Sequence, residues 1–258
     1  MNTMILFFVF SLGAIIGSFL NVCIVRLPKR ESLIRPSSHC PHCNEPIRFY
    51  DNIPIISYIH LAGKCRHCNK RISLRYPIVE GLTGLMTVAL FMRYGPSVQF
   101  LLLLLFSAAL LIITFIDLDH QIIPDVVSIP GIPCGVAASL LIPTISWLDS
   151  LLGILVGGGL LLLIAVGYKW ITGREGMGGG DIKLLAMMGA WLGWKAIPFI
   201  LLASSLIGIL IGGGSGLVLK KGLKTKIPFG PFLSISSIIY IFFGPELIKW
   251  YIAWQLSA

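Results

Sequence analysis

Long apolar runs separated by short polar and basic stretches set the pattern of this chain. They fall near residues 4–25, 77–93, 98–116, 126–143, 150–169, 182–194, 197–219 and 230–256. In the hydrocarbon of a bilayer each segment must satisfy its own backbone polar groups, so apolar runs of about 17–25 residues predict spanning helices. The sixth run is short, and Gly244-Pro245 interrupts the last, which predicts a break at that point. Met1 to Val25 has no early basic residues and no small-residue cleavage site ahead of a polar chain, so it reads as a retained first span. The expected fold is an all-α polytopic membrane protein with about eight transmembrane helices.

Composition agrees with the pattern. Of 258 residues, 56% are hydrophobic and 12% charged, against roughly 25% charged in an average soluble domain. The net charge of +9 raises nucleic acid as a partner, but its distribution argues against one. Seventeen of the 20 Lys and Arg residues fall on one side when the spans are counted in order. They occupy 26–76, Lys169 and Arg174, Lys183, and the run Lys220, Lys221, Lys224 and Lys226; only Arg93, Lys195 and Lys249 fall opposite. By the positive-inside rule those loops are cytoplasmic and both termini face outward. Attraction to anionic lipid is a secondary consequence.

One stretch looks soluble. Residues 26–76 divide a first span (1–25) from a larger membrane core (77–258) and contain a short repeat. Cys40-Pro41-His42-Cys43-Asn44 recurs as Cys65-Arg66-His67-Cys68-Asn69, with 21 residues between the two pairs. Two CxxC turns can offer four thiolates to one tetrahedral, structural Zn2+. Disulfides are the alternative, but a cytoplasmic loop is reducing. So small a segment, poor in aliphatic residues, also needs a staple. His42 and His67 read as solvated or supporting groups, and Cys23 and Cys134 as small core residues. The apolar stretch 52–58 suggests no chemistry.

Polar groups inside or beside the apolar runs are the candidates for function. Asn21 follows the small residues Gly17 and Ser18, which suits helix packing through an amide hydrogen bond or a ligand contact. Glu80 enters span two, where an ion pair with Arg75 or Arg26 competes with a role in binding. Asp117 closes span three, and Asp181 opens span six after Gly176-Met177-Gly178-Gly179-Gly180. Counting spans places both acids on the cytoplasmic side at one depth. Asp181 also suits a helix N-cap. Asp119 reads as a solvated loop residue and Asp125, after Pro124, as the N-cap of span four. Gly157-Gly158-Gly159 and Gly212-Gly213-Gly214 read as tight helix packing, and Pro228-Phe229-Gly230-Pro231 as a rigid re-entry into span eight, with lining the cytoplasmic mouth of a site as the lesser alternative.

Two aspartates at one membrane face point to aspartic proteolysis. Shared charge and low dielectric hold one carboxyl protonated to polarise a carbonyl, while its ionised partner takes a proton from water. The pair titrates as a unit.

With these residues in view, the chain resembles the bacterial type IV prepilin peptidases, the leader peptidase/N-methyltransferases among the GxGD aspartic membrane proteases. The resemblance rests on Gly17-Ser18-Phe19-Leu20-Asn21-Val22 with Arg26 and Pro28, the two CxxC pairs, and Arg75-Tyr76-Pro77 with Glu80. It continues through Ile116-Asp117-Leu118-Asp119 and Pro124-Asp125, Gly178-Gly179-Gly180-Asp181, and Pro228-Phe229-Gly230-Pro231. It implies catalytic residues at Asp117 and Asp181, in an enzyme of the bacterial inner membrane whose site faces the cytoplasm. The implied substrates are type IV prepilins and the pseudopilins of type II secretion, cut after a glycine. Methylation of the new N-terminus by S-adenosylmethionine is implied to follow. No glycine-rich cofactor fingerprint is present, so Asn21, Arg26 and Glu80 are the candidates for the methyl-donor site. Two rivals remain at this point: another GxGD-type protease, which has no need of the cysteine module, and a transporter relaying protons through Asp117 and Asp181.

Overall fold

The computed structural model of the chain describes residues 2–173, 178–219 and 228–257. Arg174, Gly176, Met177 and the lysines at 220, 221, 224 and 226, all singled out above, lie outside the described residues. Among the described residues there are nine α-helices and no β-strand, only two isolated bridges. Eight of the helices overlie the eight apolar runs. Three of these are both long and apolar enough to cross a bilayer by themselves: Thr3–Arg26, Val98–His120 and Trp147–Thr172.

The chain forms two compact units, Met1–Ile112 and Ile113–Ala258. In the first, α1 (Thr3–Arg26) starts at Asn2, whose side chain accepts the Met4 N–H. It packs along α3 (Arg75–Tyr94), and glycine sets how closely. A Cβ at Gly17 would stand 2.7 Å from Glu80 Cα, and one at Gly84 would stand 2.6 Å from the Phe10 ring. The hydroxyls of Thr83 and Thr87 return to the carbonyls of Val79 and Thr83, which lets both residues be buried here. Between the two helices lies the cysteine module, containing a 3-10 turn at Phe49–Asn52 and the short α2 (Ile56–His60). The sequence repeat is also a structural one. Cys40 N–H donates to Glu45 O and Asn44 N–H to Cys40 O; Cys65 to Lys70 and Asn69 to Cys65 repeat the pattern at 2.9–3.0 Å. Asn44 (φ 57) and Asn69 (φ 54) supply the left-handed residue of each turn, a conformation asparagine tolerates better than most side chains.

The second unit opens in the last turns of α4 (Val98–His120) and continues with α5 (Asp125–Ser139), α6 (Trp147–Thr172), α7 (Gly179–Leu192), α8 (Ala196–Leu219) and α9 (Gly230–Ser257). Helix α7 is buried all round from Leu184 to Leu192. Glycines in its neighbours make room for it. A Cβ at Gly153 would fall on the Gly189 carbonyl, and one at Gly157 would stand 2.6 Å from Leu185 O. Ser150 donates to Ala190 O at 2.7 Å, and Trp191 Nε1 to Gly131 O at 2.8 Å. At 14 residues, α7 is only about 21 Å long, short of a hydrocarbon core of about 30 Å. It is a core helix of its unit as much as a span.

Three local expectations change. Helix α9 continues through Gly244-Pro245 rather than breaking. A proline ring clashes with the Cβ of the residue before it, and glycine has none. Helix α4 continues to His120, so Asp119 stands in its last turn and not in a loop. Cys134, expected in the core, is exposed.

Candidate active site

Asp117 lies one turn from the end of α4 and is only 5% exposed. The helix stops where Gln121 (φ 54) turns left-handed and donates its N–H back to Asp117 O. Asp181 is the third residue of α7. The extended Gly178 is the N-cap, and no side chain caps this helix, so the capping role expected of Asp181 is absent. Gly180 faces the segment just beyond Asp117: a Cβ there would stand 3.0 Å from Ile123 Cβ. The first turn of α7 can therefore lie against the chain that leaves α4. Both acids belong to one compact unit, Asp117 in the last turn of α4 and Asp181 in the first turn of α7. The Oδ2 of Asp117 accepts the backbone N–H of Gly230, the first residue of α9, at 3.0 Å. Asp125 is the first residue of α5 and not its cap, a role taken by Pro124; its carboxylate holds Lys183 Nζ at 2.8 and 2.9 Å.

In the module, Cys40, Cys43, Cys65 and Cys68 present sulfurs all within 4.8 Å of one another. Cys40 Sγ to Cys68 Sγ is 3.8 Å and Cys43 Sγ to Cys65 Sγ is 4.0 Å. A tetrahedron with Zn–S bonds of about 2.3 Å needs edges of about 3.8 Å. The cluster fits one metal ion. Backbone N–H groups of Cys68 and His67 lower the pKa of the Cys65 thiol, while the neighbouring thiols raise that of Cys43. The two histidines are outside the cluster. Asp51 accepts a forked ion pair from Arg66, the residue after Cys65, at 2.6–3.2 Å. That guanidinium holds the Asp51 carboxyl below its ordinary range.

The three methyl-donor candidates all lie in the first unit, each already engaged. Glu80, 6% exposed, accepts the Ile55 N–H at 2.8 Å. Arg26 donates to Ser32 O at 2.9 Å and Pro36 O at 2.7 Å. Asn21 donates to Tyr76 O at 3.1 Å, and its Oδ1 is buried without a partner among the described residues. Arg26 alone of the three lines a cleft of about 330 Å³, together with Ser18, Phe19, Val22, Ser37 and Asn52.

Sequence reasoning missed Gly230, Lys183 and Ile55 as partners of the candidate residues. Ile55 had one available signal, an apolar run placed in a polar loop, and Gly230 had another, its place in the Pro228-Phe229-Gly230-Pro231 re-entry. Neither signal named the partner, which lies 25 residues away for Ile55 and 113 for Gly230, and Lys183 had no signal for Asp125, 58 residues away.

Fold and site define a class: an all-α membrane protein with a four-cysteine module and two acids, Asp117 buried and Asp181 half-buried, presented by helix ends within one unit. Residues 11–94 match the bacterial peptidase A24 N-terminal domain, and residues 104–213 match the type IV leader peptidase family. The chain is 42% identical to a prepilin leader peptidase/N-methyltransferase of Aeromonas hydrophila, over 96% of this chain and 93% of that one. It is 38% identical to the Pseudomonas putida protein of the same description, over 92% and 90%. With that of Neisseria gonorrhoeae it shares 37%, over 95% and 93%. No solved structure matches it. The chain belongs to the type IV leader peptidase family and is an enzyme of the membrane.

Proposed function

We propose that this protein is a bifunctional prepilin leader peptidase of the bacterial inner membrane. It cuts type IV prepilins and type II secretion pseudopilins after a glycine, at the cytoplasmic face. It then methylates the new N-terminal residue with S-adenosylmethionine. The observation that supports the hydrolytic reading is that Asp117 and Asp181, 64 residues apart in sequence, stand at helix ends within one compact unit, with Gly180 packed against Ile123 just beyond Asp117. The relatives, described as prepilin leader peptidase/N-methyltransferases, suggest the substrate class.

In this reading one carboxylate takes a proton from water as the oxygen attacks the scissile carbonyl. The other, protonated, gives its proton to the carbonyl oxygen. Collapse of the tetrahedral species passes a proton to the departing amine and restores the pair. The module (26–76) and the core (77–258) are separate working parts. Cys40, Cys43, Cys65 and Cys68 hold a structural Zn2+, and both chain termini face away from the cytoplasm. The cleft beside Arg26 is of the right size for the methyl donor, whose carboxylate suits the guanidinium; Asn21 and Glu80 support its walls. When bound, the donor supplies an electrophilic methyl group. The partners are protein substrates and lipid, not nucleic acid.

The test is prepilin cleavage by Asp117→Asn and by Asp181→Asn in reconstituted lipid. Each is expected to lose at least about 100-fold in rate while keeping the parent's melting behaviour. Cleavage retained by either variant rejects the dyad.

A further inference from the structure

We infer that the Gly230 N–H, at the start of α9, is the positioning group that makes Asp117 the ionised base of the pair and leaves the proton on Asp181. This rests on the dyad reading above and goes beyond it, since the pair by itself does not say which member carries the charge.

Three observations carry the assignment. The Gly230 N–H donates to Asp117 Oδ2 at 3.0 Å in a buried setting. A donor aimed at a carboxylate oxygen stabilises the charged form, and a hydrogen bond to an ionised acceptor is about twice as strong as a neutral one. Gly230 is also the first residue of α9, where unpaired N–H groups and the helix dipole favour negative charge. The Asp181 carboxyl, by contrast, accepts no hydrogen bond from the described residues, while Asp117 accepts one. Glycine is needed for the arrangement. A Cβ at position 230 would stand 2.6 Å from the same oxygen and push the carboxylate off the donor.

The charged groups around Asp117 are few, and of these Asp119 acts against the ordering while the Gly230 donor acts for it. Helix α7 presents Asp181, and α4 itself carries Asp119 and His120. Asp125 of α5 and Lys183 of α7 neutralise each other. The first turn of α9 carries no acid or base. The proton balance follows: water gives a proton to Asp117, and Asp181 gives its own to the carbonyl oxygen. Asp117 then protonates the leaving amine, and the diol returns a proton to Asp181.

The experiment replaces the Phe229–Gly230 amide with an ester, which deletes the N–H and adds no atom. The protein is made by cell-free synthesis into nanodiscs, and kcat/KM for a full-length type IV prepilin is measured against pH. The base must be ionised, so activity falls as pH drops through the first ionisation of the pair. Without the donor that acid limb is expected to move up by about one pH unit, with the high-pH plateau within a few-fold of the parent. Gly230→Ala, checked for folding by thermal melting in the nanodisc, is expected to move the limb the same way and to lower the plateau. An ester variant with an unmoved acid limb, or one that shifts only the alkaline limb, overturns the assignment. The Asn variants of the two aspartates test the dyad itself: if either still cleaves, the proposed function fails whatever the ester does.

Discussion

At the residue scale, buried polar groups are defined by what they hold. Glu80 was read from sequence as an ion-pair partner or a ligand. Its carboxylate instead accepts the N–H of Ile55, a β-branched residue at φ 61 and ψ −49. Such a backbone is costly for isoleucine and persists only where its surroundings over-determine it. Removing the acceptor leaves a buried N–H unpaired, at a cost of about 1–3 kcal/mol. Glu80→Ala is therefore expected to loosen the 52–58 segment, read as faster protease nicking there, while Glu80→Gln keeps an acceptor and restores most of the protection. Equal nicking of the two variants would remove the clamp role. Asp51 makes a pH-dependent contribution of defined sign. Arg66 lowers its pKa in the folded module, so its stabilisation is present above the ordinary aspartate range and is lost as pH falls below it. Asp51→Asn is expected to flatten the acid-side rise in nicking of residues 26–76, and an unchanged pH dependence would assign that rise to other groups.

At the element scale, the glycine runs of the apolar segments separate into two kinds that spacing alone cannot distinguish. Gly153 and Gly157 lie where α6 meets the backbone of α7, whereas an added Cβ at Gly159 would meet nothing within 4 Å. Gly153→Val is expected to prevent close packing of α6 on α7 and to lower the melting temperature sharply. Gly159→Ala is expected to be neutral or to stabilise by up to about 1 kcal/mol through helix propensity. A melt in which both behave alike would discount the packing. The sequence revealed that these helices pack through small residues. Which face turns inward depended on the partner helix, and the hydrophobic stripe is no guide where lipid and core are both apolar.

At the scale of the whole molecule, the proposed structural Zn2+ makes the 26–76 module the part whose folding should depend on an ion. A segment of about fifty residues, with Phe49, Ile56 and Ile59 exposed, has too little core to stand alone. One Zn2+ per chain is expected by elemental analysis. Replacing Cys40 and Cys65 together with serine should abolish it and make residues 26–76 protease-labile, while helices of the 113–258 unit keep their thermal transition. Full protease resistance in the metal-free variant would show that the thiolates do not staple the module.

The sequence by itself determined what local spacing can encode. The two CxxC knuckles, the apolar segments that become helices, and the placement of Asp117 and Asp181 at helix ends all follow from residues close together along the chain. Such residues meet whatever the rest of the molecule does. Tertiary structure alone decided the long-range partners: Gly230 for Asp117, Lys183 for Asp125, Ile55 for Glu80. Those contacts depend on which helix faces pack together and at what depth, and a one-dimensional pattern of apolar and polar positions specifies neither.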